Sequence, residues 1–124
     1  MTSFETLKKR SDFLRVAKGI KVVTSSIILQ AAQSLCTENK KSTVGFTTSK
    51  KIGPAVVRNR ARRRLRALAR EFFPQYAMKN FDYVLIGRHN TAGCDFYILK
   101  KDIKYGLEKI RGQIEKNGSA NQQN

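Results

Sequence analysis

The chain has 124 residues, of which 40% are hydrophobic, enough for one compact domain and too many for a wholly disordered chain. Its 25 Lys and Arg residues outnumber 9 Asp and Glu residues, and the resulting net charge of +16 favours a polyanionic partner because it works against compactness in an isolated protein. The sequence has neither an apolar signal core near its start nor an apolar run approaching the ~20 residues of a membrane span, so we expect a cytoplasmic protein.

The first predicted element is a short helix near the start of the chain. Ser11 is a favourable N-cap residue, and Gly19 is a favourable stop. Between them Phe13, Val16 and Ala17 follow the i, i+3, i+4 rule and predict the buried face.

Strands are predicted next. The segment 21–33 is rich in β-branched residues and indicates one strand or two short ones. A polar stretch over 37–42 predicts a turn, and 43–49 predicts a further strand. In that strand Val44 and Phe46 should face one way, and Gly45 should face the other.

The central helix is predicted over 55–72. It follows a loop over 50–54, in which Gly53 and Pro54 end the strand and Pro54 suits the first turn of a helix. The helix should end before Pro74.

The last elements are a strand over 81–87 and a helix that begins near Asp95 and continues through Ile110. The composition then turns polar and small, which predicts one domain over 1–112 and a disordered tail over 113–124. The order of helices and strands indicates a single α+β domain.

Basic residues are concentrated between Ser49 and Arg70, where no acidic residue occurs. At about 100° per residue, one side of the central helix is apolar and predicts a buried stripe of Val57, Ala61, Leu65, Leu68 and Phe72. The opposite side carries Asn59, Arg63, Arg66 and Arg70, with Arg60 and Arg62 at its margins.

This basic face is typical of nucleic-acid binding. A solvated helix face usually mixes charges of both signs, because like charges at i,i+4 repel by a few tenths of a kcal/mol (about 0.2–0.5) per pair. A phosphate backbone would offset that repulsion, and arginine suits bidentate phosphate contacts and stacking on bases. Lys50, Lys51 and the start of the helix near Pro54 could hold a further phosphate.

The same region contains an ordered set of motifs: Val44-Gly45-Phe46-Thr47, Ser49-Lys50-Lys51-Ile52-Gly53, Ala55-Val56-Val57-Arg58-Asn59-Arg60, Arg62-Arg63 and Arg66. This set resembles the signature of the bacterial ribonuclease P protein family. Flanking matches are Leu7-Lys8-Lys9, Asp12-Phe13, Asp82-Tyr83-Val84-Leu85-Ile86 and Arg88, so that the resemblance extends from about Leu7 to Ile110.

The resemblance implies a two-layer sandwich in which a mixed sheet packs with helices, and a left-handed β-α-β crossover, against the usual right-handed rule. It implies a ribonuclease P subunit that binds the catalytic RNA and the 5′ leader of precursor tRNA and assists removal of that leader. By residue match, the RNA-binding residues are Lys50, Lys51, Arg58, Asn59, Arg60, Arg62, Arg63 and Arg66. Phe13 matches a leader-binding position, although Ala17 stands where a second aromatic is common in the family.

No catalytic residue or metal site is expected in the protein itself. The nine acidic residues are scattered, and two cysteines with one histidine are too few for a zinc site of about four ligands. The resemblance implies that Mg²⁺ is held mainly by the RNA subunit. Two alternatives stay open: a structural RNA-binding protein of ribosomal type, which the charge supports equally, and a protein-only nuclease, which the lack of clustered carboxylates disfavours.

Overall fold

A five-stranded sheet forms the centre of the fold. The computed structural model of the chain describes residues 4–35 and 42–122. The strands are β1 (Phe4–Thr6), β2 (Ile20–Val23), β3 (Ile27–Gln33), β4 (Ser42–Thr47) and β5 (Phe81–Gly87). The helices are α1 (Arg10–Ala17), α2 (Ala55–Tyr76) and α3 (Phe96–Gln122), with a short 3₁₀ turn at Lys50–Ile52.

The sheet is mixed, with the strand order β1-β4-β5-β3-β2. β3 is antiparallel to both β2 and β5, whereas β4 is parallel to both β1 and β5. Parallel neighbours need a long crossover, and α2 supplies it between β4 and β5. The predicted α+β fold with a mixed sheet is therefore confirmed. This β4-α2-β5 unit is the crossover for which the family resemblance implies the left-handed form.

The main core lies between the sheet and the pair α2 and α3. Alternate residues of the central strands face this layer, including Leu29 in β3 and Leu85 in β5, both fully buried. Leu65 of α2 and Leu107 of α3 pack against them. The sheet and these two helices make up the predicted sandwich.

A smaller cluster lies on the opposite face of the sheet, under α1. It consists of Leu7, Val16 and Val84, with Phe13 and Ile86 packed against it while partly exposed. The helix α1 thus adds a partial third layer that covers only part of this face.

Two details of α1 differ from the prediction. The N-cap is Lys9 rather than Ser11, because the N–H groups of Asp12 and Phe13 already donate to the Lys9 carbonyl at 3.0 and 3.3 Å. Ala17 is exposed rather than buried, since this two-turn helix reaches the sheet through Phe13 and Val16.

The helix α2 passes through Pro74 and ends at Tyr76, so the prediction that it ends before Pro74 is wrong. Proline lacks an N–H group, but at this position it removes only the hydrogen bond to the carbonyl of Arg70, on the exposed side of the helix. Phe73 holds the last turn in place, because it is buried against Tyr83 with ring centroids 5.1 Å apart. Phe73, rather than the partly buried Phe72, therefore completes the apolar stripe.

The other helix and strand boundaries agree in part with those predicted from the sequence. The segment 21–33 forms two strands, and β5 begins and ends where predicted. Most of the turn predicted over 37–42 lies outside the described residues, and Ser42 belongs to β4. The helix α3 continues to Gln122 instead of ending near Gly112, with Ile114 packed on the core and Arg111 paired with Glu115 at 3.9 Å. The division of the chain at residue 112 stays a prediction.

Asp102 of α3 fixes the turn between β2 and β3. Its Oδ2 atom accepts hydrogen bonds from the Ser26 hydroxyl at 2.6 Å, the Ser25 hydroxyl at 2.9 Å and the Ser26 N–H at 3.1 Å. Burial raises the pKa of Asp102, but these hydrogen bonds outweigh that effect and hold the pKa below its usual value of 3.8.

Stability should therefore depend on the ionisation of Asp102. A carboxylate whose pKa is lower in the folded chain contributes stability above the unfolded pKa, and that stability is lost as the pH falls through the folded pKa. We expect Asp102→Asn to lower the free energy of unfolding at pH 7 by less than about 1 kcal/mol, because the side chain is partly exposed. Urea denaturation at pH 7 and pH 3 should show this difference shrinking in acid, and a difference independent of pH would contradict the assignment.

Candidate RNA-binding surface

The helix α2 presents a face of one charge sign because its apolar side is fixed against the sheet. Ala61, Leu65 and Leu68 are fully buried, which turns the opposite side to solvent. Five residues on that outer side are exposed: Asn59, Arg60, Arg63, Arg66 and Arg70. Arg58 and Arg62 are partly buried.

The arginines of this face have no carboxylate partner in the part of the chain that the structure describes. The acidic residue of α2, Glu71, instead pairs with Lys100 of α3 at 3.3 Å. The positive charge of the face is therefore uncompensated within the described residues, which makes it suited to a polyanion.

A concavity of about 440 Å³ runs along this face and is here called the arginine groove. Its lining residues are Asn59, Arg62, Arg63, Arg66 and Arg70. Two of the guanidinium groups are held by β4 and the residue that follows it: Arg66 lies over the Phe46 ring at 5.7 Å, and Arg62 donates to the Thr48 hydroxyl at 3.1 Å. These contacts orient both side chains before any ligand binds.

A second concavity, of about 430 Å³, lies where β1 leaves the sheet, and is here called the edge groove. The last contact of this segment with β4 is the hydrogen bond from the Leu7 N–H to the Val44 carbonyl at 2.9 Å. The groove is lined by Lys8, Arg10, Phe13, Phe46, Thr47, Thr48 and Arg62. Arg62 lines both concavities, so they adjoin at its guanidinium group.

Phe13 reaches the edge groove by packing closely against Gly45 of β4. A Cβ atom added to Gly45 would come within 2.4 Å of the Phe13 ring, so the close approach requires glycine at that position. One part of the ring packs on the small cluster under α1, and the rest is accessible in the groove. Phe13 is thus both a packing residue and a wall of the groove.

The loop before α2 is held by hydrogen bonds between its backbone and the side chains of Ser49 and Arg58, and these bonds do not use the side chains of its two lysines. The Ser49 hydroxyl accepts a hydrogen bond from the Lys51 N–H at 3.0 Å, and the Arg58 Nε donates to the Gly53 carbonyl at 3.3 Å. Gly53 adopts a φ of 144°, which is strained for other residues. Both Lys50 and Lys51 are exposed.

The structure brings together only part of the site predicted from sequence. Asn59, Arg62, Arg63 and Arg66 share the arginine groove, whereas Lys50, Lys51, Arg58 and Arg60 lie outside its lining. The sequence prediction omits Lys8, Arg10, Phe46 and Arg70, which line the two grooves. Arg70 was detectable from its place on the helical wheel. Lys8 and Phe46 stand in the motifs that carry the family resemblance, but no local pattern places them or Arg10 at the site, because the pairing of distant strands brings these residues together.

Not every basic residue of this region is available to a ligand. Arg64 donates to the carbonyls of Thr91 at 2.8 Å and Cys94 at 2.7 Å, and its guanidinium lies over the Phe96 ring at 5.4 Å. Arg88 similarly donates to the Thr24 carbonyl at 2.7 Å. These two arginines hold loops in place.

Side chains that could bind a metal ion do not cluster in the described residues. No three His, Cys, Asp or Glu side chains there form a group able to hold a metal ion. His89 is exposed, and Cys94 is a partly buried free thiol, while Cys36 lies outside the described residues. Within the described helices there is no stretch long and apolar enough to span a membrane.

Solved structures show that this fold is a known one. The ribonuclease P protein of Staphylococcus aureus superposes with a TM-score of 0.70 at 23% identity, covering 85% of this chain and 94% of that one. The ribonuclease P protein of Thermotoga maritima superposes with a TM-score of 0.71 at 24% identity, covering 85% and 96%.

Sequence comparison extends the similarity beyond the fold. The ribonuclease P protein component of Paramagnetospirillum magneticum is 43% identical over 119 residues, which cover 94% of this chain and 89% of that protein. The component of Ruegeria pomeroyi is 43% identical over 110 residues, 88% of each chain. The family described as Ribonuclease P matches residues 1–111. The chain therefore belongs to the family of ribonuclease P protein components, subunits of the endoribonuclease holoenzyme that matures the 5′ ends of tRNA.

Proposed function

We propose that the arginine groove and the lysine loop at 50–51 bind the RNA subunit of ribonuclease P, and that the edge groove binds the 5′ leader of precursor tRNA. The observation that carries this proposal is the uncompensated arginine groove, which adjoins a second basic groove at Arg62. An aromatic ring beside a basic groove is a common way to hold a single strand. The edge groove provides this arrangement with Phe13, Lys8 and Arg10.

The chemistry of cleavage is assigned to the RNA subunit, which would hold Mg²⁺. The contribution of the protein is then binding energy and neutralisation of phosphate charge. The complete enzyme would act in the cytoplasm.

The experiment that tests the proposal is cleavage of a precursor tRNA by a bacterial ribonuclease P RNA at low Mg²⁺, with and without this protein. We expect cleavage at the mature 5′ end only when both are present, because the protein should lower the cation demand of the RNA. Binding of RNA without rescue of cleavage would favour the alternative of a structural RNA-binding protein of ribosomal type. Cleavage by the protein without RNA would instead revive a protein-only nuclease.

The leader assignment makes a separate prediction for Phe13. In the reconstituted holoenzyme, Phe13→Ala should weaken binding of leader-bearing precursor tRNA about fivefold or more, since a stacked base is worth about 1–3 kcal/mol. Binding of mature tRNA, which has no leader, should not change. The matched control is Leu14→Ala, which truncates a neighbouring side chain that is 53% exposed and lies outside the lining of the edge groove. Equal losses with both RNAs would contradict leader contact by Phe13.

A further inference from the structure

The outer face of α3 carries two large aromatic side chains that the fold does not use. Tyr97 is 69% exposed and Tyr105 is 52% exposed. They lie eight residues apart, with Lys101 midway between them and Lys109 one turn further on. Since residues four apart are neighbours on a helix, these four side chains form one continuous stripe of alternating rings and ammonium groups.

Packing does not explain this stripe. The opposite side of α3 supplies the buried residues, among them Leu99, Ile103 and Leu107, so both tyrosines point away from the core. Another aromatic residue of α3, Phe96, is covered by Arg64 and Lys100 at 5.4 and 5.8 Å from its ring. Tyr97 and Tyr105 have no comparable cover from another element in the described residues.

The face is also positively charged. Lys101, Lys104 and Lys109 are exposed, and none of them pairs with a carboxylate in the portion of the chain described by the structure. The Lys109 Nζ atom lies 5.7 Å from the centroid of the Tyr105 ring. Among the exposed residues between Tyr97 and Lys109, Glu108 is the one acid. Exposed rings beside unpaired ammonium groups match a ligand that offers both bases and phosphates.

The position of the face separates it from the two grooves described above. The helix α3 packs over β2 and β3, whereas α2 packs over β4 and β5 and the edge groove lies beside β4. The contacts between α2 and α3, including the Lys100–Glu71 ion pair, lie between the tyrosines and the arginine groove. A leader strand in the edge groove would have to cross α2 to reach Tyr97.

We propose that the stripe of Tyr97, Lys101, Tyr105 and Lys109 on α3 is a second contact surface for the RNA subunit, where unpaired bases stack on the tyrosines and lysines neutralise the adjoining phosphates. The inference rests on the proposed function, because the RNA subunit is the partner already assigned to the neighbouring helix. It adds a surface on the far flank of α2, so that one large RNA contacts both helices of this layer.

Stacking is tested by a pair of double variants in a binding titration with a bacterial ribonuclease P RNA. Tyr97→Ala/Tyr105→Ala should bind that RNA about tenfold more weakly, whereas Tyr97→Phe/Tyr105→Phe should bind as the parent does, because phenylalanine keeps the ring. Both positions are exposed, and alanine favours a helix more than tyrosine does, so the fold should be retained. Equal affinity of the alanine and parent proteins would overturn the proposal. So would a loss confined to precursor tRNA binding by the holoenzyme.

The lysines are tested by salt dependence with a charge-matched control. Lys101→Gln should reduce the slope of log affinity against log salt by about one, while Lys79→Gln removes the same charge from an exposed turn between α2 and β5 and should not. Equal slopes for the two variants would overturn the lysine contact. Arg63→Ala is measured in parallel: if it weakens binding while the α3 variants do not, the α3 surface alone is wrong. If none of these changes weakens binding, the proposed function itself is wrong.

Discussion

Asp82→Ala is expected to destabilise the folded chain by roughly 3 kcal/mol, a large part of the ~5–15 kcal/mol that stabilises a typical domain. Asp82 lies in β5 under α1, with a side chain that is 4% exposed, and it accepts a hydrogen bond from the guanidinium of Arg15. Arg15 also donates to the Gln33 carbonyl at 2.7 Å and to Asp12 at 3.2 Å. Removing Asp82 would leave this partly buried cation with its weaker partners. Urea denaturation at pH 7 measures the effect.

The control for this prediction is Asp12→Ala, which removes the other carboxylate of the same arginine. The Asp12 side chain is 25% exposed and lies one helical turn from Arg15, so its loss should cost less than about 1 kcal/mol. Similar losses for the two variants would contradict a special role of the buried pair.

The ion pair also has a consequence for the edge groove. Arg15 follows Phe13 by two residues on α1, and the pair ties α1 to β5. Asp82→Ala should therefore weaken leader binding as well, although Asp82 is outside the lining of the groove. The milder substitution Asp82→Asn keeps a hydrogen-bond acceptor for Arg15. This variant should therefore lose less stability and less leader affinity than Asp82→Ala.

Much of this fold was predictable because its patterns are local. The bounds of β5, the opposite facing of Val44 and Gly45, and the middle of the apolar stripe of α2 (Ala61, Leu65 and Leu68) follow from periodicity alone. The N-cap of α1 was not predictable in this way. Ser11 is the better capping residue by type, but the backbone closes the first turn two residues earlier, at Lys9. The end of α2 was not predictable either, because it depends on a tertiary contact. The buried edge-to-face packing of Phe73 and Tyr83 keeps the last turn helical beyond Pro74.

The candidate site likewise has one part that local sequence patterns predict and another that depends on the pairing of distant strands. The arginine face is encoded within one helix, so the sequence predicted most of the arginine groove. The edge groove depends on the pairing of β1 with β4, which brings Lys8 and Arg10 beside Phe46 from a distant part of the chain. Hydrogen bonding also decides which arginines are available to a ligand. Arg64 and Arg62 are near neighbours in sequence, yet the guanidinium of Arg64 is bound to backbone carbonyls, whereas Arg62 lines both grooves. Composition alone cannot make that distinction.

The double variant Arg63→Ala/Arg66→Ala should bind the RNA subunit roughly 30-fold more weakly near 0.15 M salt, because each lost phosphate contact removes about one unit from the salt slope. Both side chains are exposed in the arginine groove, so truncation should cost little stability. A salt titration with a bacterial ribonuclease P RNA should show the slope reduced by about two, and an unchanged slope would contradict phosphate contact by these residues.

Two further variants separate the possible causes of that loss. Lys18→Ala/Lys79→Ala removes the same net charge from exposed positions outside both grooves and outside α3, so any larger effect of the arginine pair reports direct contact rather than overall charge. Arg66→Lys keeps the charge but loses the planar guanidinium that lies over Phe46 and could bind phosphate in bidentate fashion. It should keep the salt slope of the parent while binding more weakly. Binding equal to the parent would mean that Arg66 acts as a point charge, with the Phe46 contact contributing nothing to recognition.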